Sequence, residues 1–140
     1  MASWEAYRQT MAAPDTLGAA AKRDDVPALE RLLAQGADLE ARDSRGYSAL
    51  MLAAYSGCED AFAFLLSRGA DPESPDAAGN TVLMGAAFKG HLGMVRALLE
   101  RGADPRRKNA AGLDASGFAA MFGRTDVFAF LKDPPAREAR

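Results

Sequence analysis

A spacing of 33 residues recurs along this chain, and no other feature constrains its fold as strongly. A fixed period of this length indicates stacked supersecondary units, each of which buries its apolar faces against its neighbours. The columns that carry the period hold an aspartate or asparagine and two glycines: Asp43, Asp76, Asn109; Gly46, Gly79, Gly112; Gly57, Gly90, Gly123. We therefore predict one domain over residues 10–135. Its four units span about 10–42, 43–75, 76–108 and 109–135, with a capping leader at 1–9 and a tail at 136–140.

Each unit is predicted to contain two short helices. In the second unit, the Ser48 hydroxyl can cap a helix start, and Leu50, Ala53 and Ala54 follow at helical spacing before Gly57. A second helix with a wider apolar stripe then runs to the next glycine. Between helix pairs, Gly-Ala-Asp sequences lead to an Asp or Asn and a glycine, which is typical of projecting turns, here called fingers. The pattern predicts an all-α solenoid with finger turns.

These residues resemble the ankyrin repeat family over about 120 of the 140 residues. The matching features are the D-x-x-G opening, the helix-starting hydroxyl with leucine, the Ala-Ala pair, the Leu-Leu pair and the Gly-Ala-Asp ending. The resemblance implies protein binding through a concave groove and the finger tips. The chain departs from the family's Thr-Pro-Leu-His tetrad, because Met51 and Met84 stand at the histidine position. There we expect thioether packing in place of a hydrogen bond and somewhat weaker helix caps.

The inventory of reactive side chains argues against an enzyme. Cys58 and His91 are the single cysteine and histidine, so neither an internal disulfide nor a Cys/His metal cluster can form. Both follow a glycine at the same repeat position, so we interpret both as structural; a reactive thiol at Cys58 is the alternative. Asp43 and Asp76 recur with the fold and are interpreted as turn residues that bond backbone amides. We expect no catalysis, no cofactor and no metal, and a cytoplasmic location.

Charge and hydropathy restrict the partner classes. The 17 basic and 19 acidic residues give a formal charge of -2, so no bulk field favours nucleic acid or an anionic membrane. Apolar runs are far shorter than the roughly 20 residues of a spanning helix, and Glu5 and Arg8 interrupt the region where a secretion signal would be apolar. Segment 70–79 is acidic and segment 103–112 is basic. This contrast is either a solvated surface or an orienting contact for a dipolar partner.

The first helices suggest a binding surface. If Leu50, Ala53 and Ala54 form the buried seam, then Leu52 and Tyr55 point to the other side of the helix. The 33-residue step repeats Tyr55 at Phe88 and Met121, so this row either lines the groove or is buried between repeats. The candidate partner-binding residues on the first helices and fingers are Arg45, Tyr47, Leu52, Tyr55, Asn80, Phe88, Lys89, Phe118 and Met121.

The end units differ from the middle ones. Asp24 takes a glycine position, and Ser116 and Lys132 stand where leucines stood earlier, so both ends are predicted to be polar and the protein monomeric. Before the first unit, Ser3, Trp4, Tyr7 and Met11 form either a local lid or a partner anchor. The function predicted is a non-catalytic module that binds another protein, as a small inhibitor or adaptor. The alternative is a structural protein that self-associates through its end repeats.

Overall fold

The structure, a computed structural model, describes residues 15–132, which form eight helices in four antiparallel pairs. The pairs are α1 (Leu17–Lys22) with α2 (Val26–Ala34), α3 (Ala49–Ser56) with α4 (Glu59–Ser67), α5 (Val82–Lys89) with α6 (Leu92–Glu100), and α7 (Ala115–Met121) with α8 (Thr125–Lys132). This confirms the all-α repeat architecture. The predicted leader, tail and outer domain boundaries, and the group from Ser3 to Met11, lie outside the described residues.

Capping side chains begin the first helices, at Ser48 and Thr81 as the sequence predicted and also at Asp114. Ser48, Thr81 and Asp114 accept hydrogen bonds from backbone amides of the first turns of α3, α5 and α7. The expectation for Met84 is wrong, because its Sδ atom lies 3.3 Å from the Thr81 amide nitrogen and accepts a hydrogen bond from it. The Thr81 hydroxyl accepts from the Met84 amide in return, at 3.2 Å. The thioether thus completes a reciprocal cap, although sulfur is a weak acceptor.

Small side chains on the first helices set the curvature of the array. Ala53 and Ala54 of α3, and Ala86 and Ala87 of α5, are completely buried, whereas the second helices bury leucines, phenylalanine and valine. Alanine lets neighbouring first helices approach closely, and α1, α3, α5 and α7 pack more tightly against one another than the second helices do. The array therefore curves with the first helices on its concave side, as in other solenoids.

Asp24 is expected to make the first end of the array polar, and in the structure it also links the first repeat to the second. It occupies the column of Gly57 and Gly90 with a left-handed φ of 59°, which aspartate tolerates better than most residues. Its Oδ1 atom accepts a hydrogen bond of 2.8 Å from the Ala61 amide in the first turn of α4. Because Cys58, the N-cap residue of α4, makes no side-chain cap bond, the preceding repeat supplies the cap.

The finger turns are closed by the recurring Asp and Asn side chains. Asp43 Oδ1 accepts hydrogen bonds from the Arg45 and Tyr47 amides, both at 2.9 Å. Asp76 and Asn109 make the equivalent pairs of bonds in the next two fingers. Asp43 and Asp76 therefore have the turn role that their spacing predicted.

Contacts between fingers use part of the charge contrast seen in the sequence. Glu73, in the acidic segment, accepts a hydrogen bond of 2.9 Å from the Asp104 amide and lies 3.8 Å from the Arg107 guanidinium. Arg107 also donates to the Glu73 carbonyl at 3.0 Å. One repeat earlier, Glu40 accepts from the Asp71 amide at 2.8 Å. These hydrogen bonds and the ion pair join adjacent fingers and help to hold the array in register.

Candidate functional site

A pocket of about 350 Å³ opens on the concave side, between the bases of the fingers and helices α3, α5 and α7. We call it the groove pocket. It brings together six of the nine candidate residues, which come from three successive repeats: Tyr47, Tyr55, Asn80, Phe88, Lys89 and Phe118. The remaining lining residues are Asp76, Met84 and Gly85.

Gly85 creates space at the floor of the pocket. In the equivalent column the neighbouring repeats carry Leu52 and Phe118, so this repeat lacks the side chain that its neighbours have. The Tyr55 ring fills that space, because a Cβ atom on Gly85 would lie only 1.8 Å from Tyr55 Cε1. Tyr55 also packs edge-on against Tyr47, with ring centroids 5.5 Å apart. Burial, followed by smaller contributions from Asp76 and Tyr47, raises the pKa of the Tyr55 hydroxyl.

Phe88 continues the aromatic surface toward the last repeat. Its ring packs edge-on against Phe122 with centroids 4.4 Å apart, and the Lys89 Nζ atom lies 5.6 Å from its centroid. Sequence reasoning did not single out Phe122. The sequence does distinguish Phe122, because it occupies the repeat position of Ser56 and Lys89, where a large apolar side chain is unexpected.

Three candidate residues lie outside the groove pocket. The prediction that Leu52 faces the groove is wrong, because Leu52 is 5% exposed and its Cδ1 atom packs over Gly18 of α1. Met121 is 60% exposed, beyond the pocket at the end of α7. Arg45 lies on the finger, with its guanidinium 4.8 Å from the Tyr47 ring centroid. Tyr55 and Phe88, two members of the row that ends at Met121, are half-buried and line the pocket. Each is therefore partly buried between repeats and partly exposed to the groove.

The polar groups of the pocket differ in how far the protein already satisfies them. Asp76 accepts hydrogen bonds from the Ala78 and Asn80 amides and from the Asn80 side chain. Asn80 in turn accepts a bond of 2.7 Å from the Asn109 side chain. In contrast, Lys89 has no carboxylate within ion-pair distance among residues 15–132.

The interpretation of Cys58 as structural agrees with its surroundings. The thiol is buried and lies 3.4 Å from the Lys22 carbonyl of the preceding repeat. Burial, followed by the charge of Asp24, raises the pKa of the Cys58 thiol, which disfavours the reactive thiolate. Two repeats later, Arg124 occupies the same position and donates to the Phe88 carbonyl at 2.9 Å.

His91 occupies the intervening repeat, and its ring packs over Gly57, so that a Cβ atom there would lie 3.1 Å from His91 Nε2. Within the described part of the chain, histidine, cysteine and carboxylate side chains do not gather into a group of three that could hold a metal ion. The helices of residues 15–132 are also too short or too polar to cross a bilayer.

Comparison with protein families supports the repeat architecture. A model of ankyrin repeats, in three copies, matches residues 17–109, about two thirds of the chain. A search of curated proteins gave no match. The fourth unit lies beyond the family match, but α7 and α8 pair and pack as the earlier helices do. Ankyrin repeats generally serve as protein-protein interaction modules and are typically non-catalytic. The chain belongs to the ankyrin repeat family.

Proposed function

We propose that this protein binds a partner protein through the groove pocket and the adjacent finger turns, and that it catalyses no reaction. The observation that carries the proposal is the convergence of four aromatic side chains from three repeats on one concave pocket: Tyr47, Tyr55, Phe88 and Phe118. Aromatic side chains supply large contact area at low entropic cost and dominate the energetics of many interfaces.

The charge distribution supports a protein partner over nucleic acid. A single-stranded nucleic acid needs a basic groove interleaved with aromatic side chains. Here the aromatic pocket contains one lysine and one aspartate, while Arg106, Arg107 and Lys108 lie on a separate finger. A module without reacting groups acts by occupying or recruiting its partner, which suits an inhibitor or adaptor. We place it in the cytoplasm, where the lone buried thiol would stay reduced.

The proposal is tested by photocrosslinking from matched positions on the two sides of the array. Phe88 on α5 and Phe64 on α4 are both half-buried phenylalanines beside a cation, with Lys89 and Arg68 at 5.6 and 5.5 Å from the ring centroids. We expect p-benzoylphenylalanine in place of Phe88, and not in place of Phe64, to crosslink a defined partner in the native host. Mass spectrometry then identifies the partner.

The dissociation constant is then measured with the purified partner for the wild type and for two variants. Phe88→Ala is expected to cost about 2 kcal/mol, or roughly thirtyfold in Kd, because it removes a central anchor. The exposed-charge reversal Arg68→Glu should change binding by less than about threefold. A partner that crosslinks only from position 64, or that is lost with Arg68→Glu and retained with Phe88→Ala, would contradict the groove assignment.

One observation favours the alternative of self-association. The last repeat is less polar than predicted, because Met121 and Phe122 are 60% and 43% exposed. Exposed apolar side chains of this kind can mark an interaction surface. A monomeric mass by light scattering across a wide concentration range supports the binding module. A dimer that Met121→Ser disperses would instead support assembly through the last repeat.

A further inference from the structure

We propose that the groove pocket receives an aromatic side chain from the partner, and that an acidic residue beside this side chain in the partner's sequence pairs with Lys89. This inference rests on the proposed function and names the chemistry of the partner segment. It follows from the shape of the pocket, from the satisfaction of its polar groups and from the position of its cation.

The shape of the pocket suits one large planar side chain. Its volume of about 350 Å³ is at the small end of ligand sites. Its floor is formed by the Tyr55 ring, which lies against Gly85 of α5. The rings of Tyr47, Tyr55, Phe88 and Phe118 line it. Aromatic rings prefer edge-to-face or offset contacts with other rings, and walls of this kind favour an aromatic occupant over an aliphatic one.

The acidic and amide groups of the pocket do not require a partner. Three N-H groups donate to the Asp76 carboxylate, two from the backbone and one from Asn80. The Asn80 oxygen is bonded to Asn109. An incoming basic residue would have to compete with these bonds for Asp76, so a cationic segment gains little at this edge of the pocket.

Among the residues that line the groove pocket, Lys89 is the one cation, and no carboxylate of residues 15–132 lies within ion-pair distance of it. On the fingers, Arg45 and Arg107 already lie near carboxylates, at 3.4 Å from Asp43 and 3.8 Å from Glu73. Lys89 is exposed and its ammonium group lies beside the Phe88 ring. A carboxylate next to an aromatic side chain seated against Phe88 would therefore meet an unpaired positive charge. Complementarity of this kind selects register and partner.

The test uses defined tetrapeptides and the full chain, so it does not depend on knowing the natural partner. Amide NMR spectra are recorded during titration with acetyl-Gly-Phe-Asp-Gly-amide. Two control peptides replace Asp by Lys or Phe by Ala. We expect saturable shifts at the amides of Gly85, Phe88 and Lys89 with the first peptide. Binding should be weaker by about threefold or more with Lys in place of Asp, and by about tenfold or more with Ala in place of Phe.

Two variants separate charge recognition from nonspecific attraction. Lys89→Glu should reverse the preference, so that the Lys peptide binds more tightly than the Asp peptide. Arg68→Glu, which changes the charge equally beside Phe64 on α4, should leave the preference unchanged. Equal affinity for the Asp and Lys peptides, shifts centred on Phe64, or the absence of saturable shifts at the three groove amides would overturn the inference. If a partner crosslinks from position 88 while the tetrapeptides show no preference, the inference about the partner segment is wrong and the proposed function stands. A partner that crosslinks only from position 64 refutes the proposed function.

Discussion

At residue scale, one side-chain oxygen closes each finger turn. Asp43, Asp76 and Asn109 each accept hydrogen bonds from the amides two and four residues further along the chain, at 2.9 to 3.0 Å. The amide of Asn109 does this as well as the two carboxylates, so the turn requires the oxygen and not the charge. The charge adds a dependence on pH. The Tyr47 amide, followed by the Arg45 amide and guanidinium, holds the pKa of Asp43 below its usual value.

The first prediction concerns Asp43→Asn. A carboxyl group with a depressed folded-state pKa stabilises the fold above its unfolded pKa of about 4, and this contribution is lost as the pH falls through the folded value. The variant keeps the turn and loses this titration. In urea unfolding, the wild type should be the more stable protein at pH 7, and its advantage should shrink as the pH falls to about 3. A difference in the free energy of unfolding between the two proteins that stays constant with pH would contradict the depressed pKa of Asp43.

At the scale of the helices, two glycines differ in the space around them: one lies at the groove pocket, and the other has no close neighbour. Gly85 lies in α5 and Gly93 lies in α6, and neither has a left-handed backbone conformation. A Cβ atom on Gly85 would overlap the Tyr55 ring, whereas a Cβ atom on Gly93 would have no neighbour within 4 Å. Helix propensity favours alanine at both positions, so the difference between the two substitutions isolates packing.

The second prediction is that Gly93→Ala and Gly85→Ala change stability in opposite directions. Gly93→Ala should raise the free energy of unfolding by up to about 1 kcal/mol, because alanine restricts the unfolded chain and favours the helix. Gly85→Ala should lower it by about 1 to 3 kcal/mol, because the Tyr55 ring must leave its place. Equilibrium unfolding in urea measures both. If Gly85→Ala were stabilising, Tyr55 would not occupy the floor of the groove pocket.

At the scale of the whole molecule, stability depends on the number of neighbours that a repeat has. Within residues 15–132, the helix pairs pack chiefly against adjacent pairs, so the second and third repeats have a neighbour on both sides and the first and fourth have one. Leu65, Leu83 and Leu98 are fully buried in the two middle repeats. In the last repeat, by contrast, Met121 and Phe122 stay exposed.

The third prediction follows from this arrangement. Amide hydrogen exchange should be slowest around Leu65, Leu83 and Leu98, and faster by about tenfold or more in α1 and α8, because the end helices open without disrupting the middle of the array. Exchange followed by mass spectrometry measures the profile. If residues 17–29 were the best protected segment, the first repeat would not be an edge of the array.

The sequence alone determined the repeat architecture because the signals for it are local and recur. Ser48 and Thr81 begin helices, Gly57 and Gly90 end them, and Asp43 closes a finger, all through contacts within a few residues of chain. The period of 33 then predicts that identical units stack. Four of the candidate residues that line the groove pocket lie on first helices, where helical geometry limits the side to which a residue points: Tyr55, Phe88, Lys89 and Phe118.

Only the tertiary structure decided what happens where one repeat meets the next. Leu52 and Tyr55 lie on the same face of α3, yet Leu52 is buried over Gly18 whereas Tyr55 lies across Gly85 and lines the pocket. Asp24 caps a helix of the following repeat, and Phe122 packs on Phe88. Periodicity states which residues occupy equivalent columns. The space available to each side chain depends on the size of the residue opposite it on the neighbouring helix, and that match is fixed only when the repeats pack together.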